Sequence, residues 1–165
     1  MIDVLDHLDA LGADYQAIEC DPNLADTADF CAAYGYALDK SANTILIASK
    51  RPPGQSALCL ALATTRLDVN RTVRDVMGVK KLSFASPEQT IAATGMMIGG
   101  VTPFGAPPDL RIYVDKAVMD AARVIVGGGS RSLKLLVATE VFRTMPNVHI
   151  VAGLAAPIGS SADRI

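Results

Sequence analysis

Residues 44–64 read TILIASKRPPGQSALCLALAT. Two apolar runs, over 44–49 and 57–64, flank Arg51-Pro52-Pro53-Gly54. Each run is strand-sized, and the proline and glycine between them fix a turn, so the stretch predicts two buried strands joined as a hairpin. Working outward, Val4, Leu5, Leu8 and Leu11 recur at helical spacing, and Gly12 ends that helix. A short strand follows over 15–20, stopped by Asp21-Pro22, and Asp26 or Thr27 caps a second helix that runs to about Tyr34. Beyond the hairpin, Asn70 is expected to cap a short helix carrying Val73, Val76 and Met77, and a small strand is expected over 80–84. Ser86-Pro87-Glu88-Gln89 has the form of a capping box with proline at the first helical position, and Gly95 releases that helix. Strands are predicted over 111–114, 123–126, 133–137 and 148–151, a last helix from Thr139 or Glu140, and a loose tail at the end. Strands separated by short turns favour an α+β fold, a mixed sheet flanked by helices, over a regular doubly wound one.

Composition bounds the rest. Of 165 residues, 50% are hydrophobic and 19% charged, with a net charge of −2. That excludes a disordered chain, a collagen, a coiled coil and a disulfide scaffold, and a single domain over 1–165 is expected. The near-neutral total hides an asymmetry: residues 1–39 hold nine carboxylates and no Lys or Arg, whereas 40–165 hold 15 bases and eight acids, a balance of +7. Cys20, Cys31 and Cys59 have no CxxC spacing, so neither a disulfide framework nor a zinc site is indicated. The first residues lack the pattern of a signal peptide, and no apolar run approaches the roughly 20 residues that span a bilayer. The expectation is a reduced, cytoplasmic protein with no membrane partner.

Two glycine segments carry the chemistry. In Gly99-Gly100-Val101-Thr102-Pro103-Phe104-Gly105, glycines admit close approach to a ligand and proline fixes the loop, so main-chain amides can be held toward a pocket; a plain connecting loop is the alternative. Gly127-Gly128-Gly129-Ser130-Arg131 follows an apolar strand and can form an anion-binding nest, with Arg131 as a charged fork; a flexible strand connection is the alternative. It is neither a dinucleotide fingerprint nor a phosphate loop, because the required glycine order and the Gly-Lys-Ser/Thr are missing. His7 and His149 have no recognisable partner and read as surface or structural residues. Arg66, Arg71, Arg74, Lys80 and Lys81 cluster around the short central helix, where they form either a phosphate-tracking patch or ordinary surface charge.

Taken together, the strand with Thr44-Ile45-Leu46, the Ser86-Pro87-Glu88 helix start, Thr94-Gly95 and the two glycine segments resemble the YbaK/EbsC family of aminoacyl-tRNA deacylases, related to the editing domain of bacterial prolyl-tRNA synthetase. The resemblance implies a partly barrel-like sheet and a pocket for an aminoacyl group on the 3′ end of tRNA. It implies no metal and no cofactor. The family's Gly-x-x-x-Pro loop maps onto Gly99, Gly100 and Pro103, whose amides would polarise an ester carbonyl, with Thr102 orienting a water. Asn43 and Thr44 would line the pocket, and Gly127, Gly128, Gly129, Ser130 and Arg131 would complete its floor. Arg66, Arg71, Arg74, Lys80 and Lys81 would track the acceptor stem. Many members carry a Lys just before the Thr of the first strand, and here that residue is Asn43. The resemblance therefore points to a free-standing hydrolase that clears mischarged tRNA, with a synthetase as a further partner, and the apolar composition permits a homodimer. A catalytically reduced binding module for an amino-acid-like or nucleotide ligand is the alternative that Asn43 raises.

Overall fold

The computed structural model describes residues 3–158. The first half runs α1 (Val4–Ala10), β1 (Tyr15–Glu19), α2 (Thr27–Tyr34), β2 (Ala42–Arg51), β3 (Pro53–Leu62), β4 (Thr65–Leu67), α3 (Arg74–Met77), β5 (Lys81–Phe84) and α4 (Pro87–Thr94). After it come β6 (Arg111–Asp115), β7 (Arg123–Gly127), β8 (Leu133–Ala138), β9 (Val148–Val151) and β10 (Ala155–Pro157). The expected hairpin is β2 and β3, paired antiparallel from Ala42–Leu62 to Lys50–Pro53, with an irregularity between Ala48 and Lys50. It forms the centre of a five-stranded mixed sheet in the order β5-β2-β3-β6-β9, in which β6 lies parallel to both β3 and β9. A second, three-stranded sheet has the order β1-β8-β7 and is antiparallel throughout. A bridge between Ser41 and Ile125 ties the two sheets together, giving the partly barrel-like, mixed α+β arrangement.

Strand alternation explains the layers. Leu46, Leu58, Leu60, Ile112 and Val114 face inward from the large sheet and meet Val124, Val126, Leu135 and Val137 from the small one. Burying each such side chain contributes about 1.5–3 kcal/mol. The opposite face of the large sheet, with Ile47, Cys59 and Tyr113, is covered by Val73, Leu67 and Leu154. The outer face of the small sheet, with Ile18, Ile125 and Leu136, is covered by Phe30 and Cys31 of α2. His7 joins α1 to the interior, because its Nδ1 accepts the Gly105 amide at 2.7 Å and its ring meets Phe104 edge-on.

Local signals hold at most helix ends. The α4 capping box is complete: Ser86 accepts from the Gln89 amide at 3.1 Å, and Gln89 accepts from the Ser86 amide at 2.8 Å. Two expectations change. The helix assigned to Asn70 starts earlier, as a π-helical turn over Val69–Val73 that runs into α3. The reason lies in pairing: β4 is held against β10 and the Asp68 amide donates to Leu154, so the chain stays extended to Asp68 and turns at once. Asp68 then accepts from the Thr72 hydroxyl at 3.0 Å, and Asn70 stands exposed within the turn. The helix expected from Thr139 is only a 3-10 turn over Thr139–Arg143, because Pro146 follows closely and disfavours helix before it. The start of the expected loose tail is the strand β10, and its remainder lies outside the described residues.

Candidate functional site

Where β2 enters the large sheet, α2 and the 98–101 loop stand apart from it and leave a cavity of about 230 Å³. Thr27 and Phe30 of α2, Asn43 and Thr44 of β2, and Ile125 and Val126 of β7 are among its walls. Gly99, Gly127 and Lys134 complete the end formed by the two glycine segments. The segments lie against each other, since the Gly129 amide donates to the Gly100 carbonyl at 2.7 Å. Their glycines are required by space. A Cβ on Gly100 would sit 2.7 Å from the Ser130 carbonyl carbon, and one on Gly127 would meet the Val101 carbonyl oxygen. Two main chains therefore touch directly, which no larger residue allows.

The site residues read from the sequence divide into two groups. Asn43, Thr44, Gly99 and Gly127 line the cavity. Gly100, Thr102 and Pro103 do not; they are buried behind it, and the Gly100 amide is spent on the Met97 carbonyl at 3.0 Å. The Thr102 hydroxyl is buried without a hydrogen-bond partner among the described residues, and Thr102 is not among the residues lining this cavity. Gly128, Gly129, Ser130 and Arg131 are not among the residues lining it. Arg131 is a clamp: its guanidinium donates to the Pro22 carbonyl at 3.0 Å, the Ile98 carbonyl at 3.0 Å and the Asp26 carboxylate at 3.2 Å. Of the basic set, Arg66 lines a shallow hollow that shares Asn43 and Ile45 with the main cavity. Arg71, Arg74, Lys80 and Lys81 line neither, and Arg74 lies 3.7 Å from Asp75.

Three features of the cavity are not apparent from the sequence motifs. Thr27 donates to Asn43 Oδ1 at 2.5 Å, which fixes the carboxamide and leaves its nitrogen without an acceptor among the described residues. The Thr44 hydroxyl is buried and unpartnered there. Lys134, 5% exposed, donates to the Gly99 carbonyl at 3.1 Å and lies 5.8 Å from the centre of the Phe30 ring. Burial pulls its ammonium below the usual lysine value, Arg131 adds to that, and Cys20, Asp26 and Cys31 oppose it. The sequence signal for Lys134 is one cation inside the apolar run Leu133-Lys134-Leu135-Leu136-Val137. Among the described residues no group of three or more His, Cys, Asp or Glu is arranged to hold a metal ion, and no helix is long and apolar enough to cross a membrane.

Comparison with known proteins converges on the same region. The family described as the aminoacyl-tRNA editing domain matches residues 21–145, which span the cavity wall from Ala25 to Lys134. Among solved structures, a hypothetical protein superposes with a TM-score of 0.82 at 20% identity, over 93% of this chain and 99% of its own. A candidate trans-editing enzyme for prolyl tRNA synthetase gives 0.75 at 20% identity, over 90% of this chain and 92% of that one. A candidate signal transduction protein from Marinobacter aquaeolei VT8 gives 0.62 at 14% identity, over 94% of this chain and 31% of that one. At these identities the likeness establishes the fold.

Proposed function

This chain belongs to the aminoacyl-tRNA editing domain family, and from that premise we propose that it is a free-standing hydrolase, acting as one editing domain, that removes an amino acid from mischarged tRNA. The observation that carries the reading is the cavity itself, at which Asn43, Thr44, Gly99 and Gly127 converge from three separate parts of the chain. Its volume, about 230 Å³, is below the range usual for sites that enclose a whole drug-sized ligand. It suits one aminoacyl group with the nucleoside left outside. Ala42, Leu46 and Val126 give its depth an apolar lining for the side chain.

The ester carbonyl would then lie at the glycine end. The Gly99 amide has no acceptor among the described residues, and a donor preset there stabilises the oxyanion by about 3–4 kcal/mol in comparable sites. Thr27 and Asn43, held to each other, would orient the attacking water from the β2 side. The acceptor stem would run over Arg66, Arg71, Arg74, Lys80 and Lys81, and binding should weaken steeply with salt. Incubation with a panel of aminoacyl-tRNAs tests the proposal: loss of label from at least one is expected, and retention of label on all of them refutes it.

Asn43 and the occupied Gly100 amide favour a second reading, a module that holds an amino-acid-like or nucleotide ligand without cleaving it. An Asn43→Lys variant separates the two. Turnover gained only in the variant supports the binding module; an active parent unaffected by the change removes it.

A further inference from the structure

Lys134 is the one Lys or Arg among the residues lining the cavity. Alternation along β8 places it on the face shared with Leu136, under α2, and its side chain passes Phe30 to reach the loop at Gly99. An ammonium has three N–H donors. Only one bond to it is made among the described residues, to the Gly99 carbonyl, and none of the described salt bridges involves it. Asp26, the carboxylate that acts on it, is already bound by Arg131. A charge that is 5% exposed with spare donors is costly to keep unless something in the cavity completes its shell. Gly99, whose carbonyl it holds, is also the residue with the unused amide.

Building on the deacylase reading, we infer that Lys134 is a catalytic residue: its ammonium binds the ester carbonyl oxygen of the aminoacyl group and holds the charge that develops there as water adds. The water oxygen bonds to the carbonyl carbon, and the bond from that carbon to the ribose oxygen breaks. One water proton goes to the departing ribose hydroxyl and the other is released to solvent with the amino-acid carboxylate. Lys134 keeps its proton throughout. Arg131 does not take this place, because it is not among the residues lining the cavity and its Nε and Nη1 hydrogens go to Pro22, Asp26 and Ile98.

Steady-state hydrolysis by the parent, Lys134→Met and Lys134→Arg on the aminoacyl-tRNA that the parent cleaves tests the inference. Lys134→Met should lower kcat by about 10²–10³-fold with KM changed by less than about threefold, and Lys134→Arg should recover part of the loss. The parent rate, corrected for uncatalysed hydrolysis, should fall at alkaline pH below the ordinary lysine value, and Lys134→Met should lack that limb. Cys20, Asp26, Cys31 and Arg131 face the ammonium and are unchanged in both proteins, so the difference belongs to Lys134. Equal kcat in parent and Lys134→Met overturns the inference and leaves the deacylase reading standing. A parent rate that rises through the same range, with the rise lost in Lys134→Met, also overturns it, since that marks a neutral amine acting as base. If the parent cleaves no aminoacyl-tRNA, the deacylase reading falls, and calorimetry with a 3′-aminoacylamino adenosine decides the contact: equal affinity in parent and Lys134→Met refutes it. Should Lys134→Met not fold by circular dichroism, Lys134→Gln, which retains a donor for Gly99, takes its place with the same expected loss.

Discussion

Gly100→Ala tests the claim that the two glycine segments are built on main-chain contact. The added Cβ would lie 2.7 Å from the carbonyl carbon of Ser130 and 2.8 Å from its Cα and nitrogen. All three are backbone atoms, so no side chain can swing away, and one segment must shift as a unit. Gly100 is absent from the glycines with positive φ, so strain in the left-handed region plays no part and the cost comes from space. Overpacking of this kind costs about 1–3 kcal/mol. The Gly129–Gly100 hydrogen bond at 2.7 Å would be lost or bent, adding about 1 kcal/mol. The stiffer unfolded chain returns roughly 0.4–1 kcal/mol. A net destabilisation of about 1–3.6 kcal/mol follows, or roughly 2–14 °C in Tm for a chain of this size. Thermal unfolding followed by circular dichroism measures it. Gly54→Ala is the control, because φ there is +98° with no atom within 4 Å of the new Cβ, so it feels strain without crowding. A Tm for Gly100→Ala within about 2 °C of the parent would show that the segments yield freely, and the rigid wall of the cavity would go with it.

Thr102→Val should raise Tm by about 2–4 °C, since it removes a buried hydroxyl with no partner, worth roughly 1 kcal/mol, and turnover should be unaltered; a fall in kcat would return Thr102 to the chemistry. His7 has its pKa lowered by burial, so the folded protein binds fewer protons than the unfolded one just below the ordinary value of 6.5. Stability therefore rises with pH through that window and is lost as pH falls toward the lowered value. His7→Gln should flatten the Tm profile below the ordinary value of 6.5, and parallel profiles there would contradict the assignment. Cys59 is fully buried and its thiol is pushed up to about 12, so it should resist thiol reagents at neutral pH until the protein is unfolded. Rapid modification mapped to Cys59 in the native state would contradict its placement.

The architecture was legible where a local signal had no competitor. Pro52, Pro53 and Gly54 between two apolar runs leave one solution, and the hairpin appears there. Ser86 and Gln89 close their box with atoms that are neighbours in the chain. Asn70 shows the limit. Its local sequence allows a cap, but the helix start is set by β10, more than eighty residues away, which holds Leu67 and fixes the chain to Asp68. The strands β4 and β10 are three residues each and show no alternation long enough to register. The approach to β10 is held by the buried Asp115. Burial pushes its carboxyl up, while the amides of Leu154, Ala117, Lys116 and Ala155 act in the opposite direction and seat the β10 approach.

The site shows the same division between local and long-range causes. Glycines marked the right loops because a missing Cβ is written in the sequence, yet their role as mutual contacts depends on 127–131 meeting 99–101. Charge was harder to place. Arg131 sits beside three glycines and so looks like the ligand-binding cation, but it is not among the residues lining the cavity, and its Nε and Nη1 hydrogens are turned to two carbonyls and Asp26. Lys134, three residues on, lies in a strand whose neighbours are apolar, where a lone charge is expected only if something holds it. The protein provides one carbonyl and an aromatic face. Lys134 lines the cavity with donors to spare among the described residues, which is why the cation of the cavity follows from burial and bond counting rather than from nearness to a glycine motif.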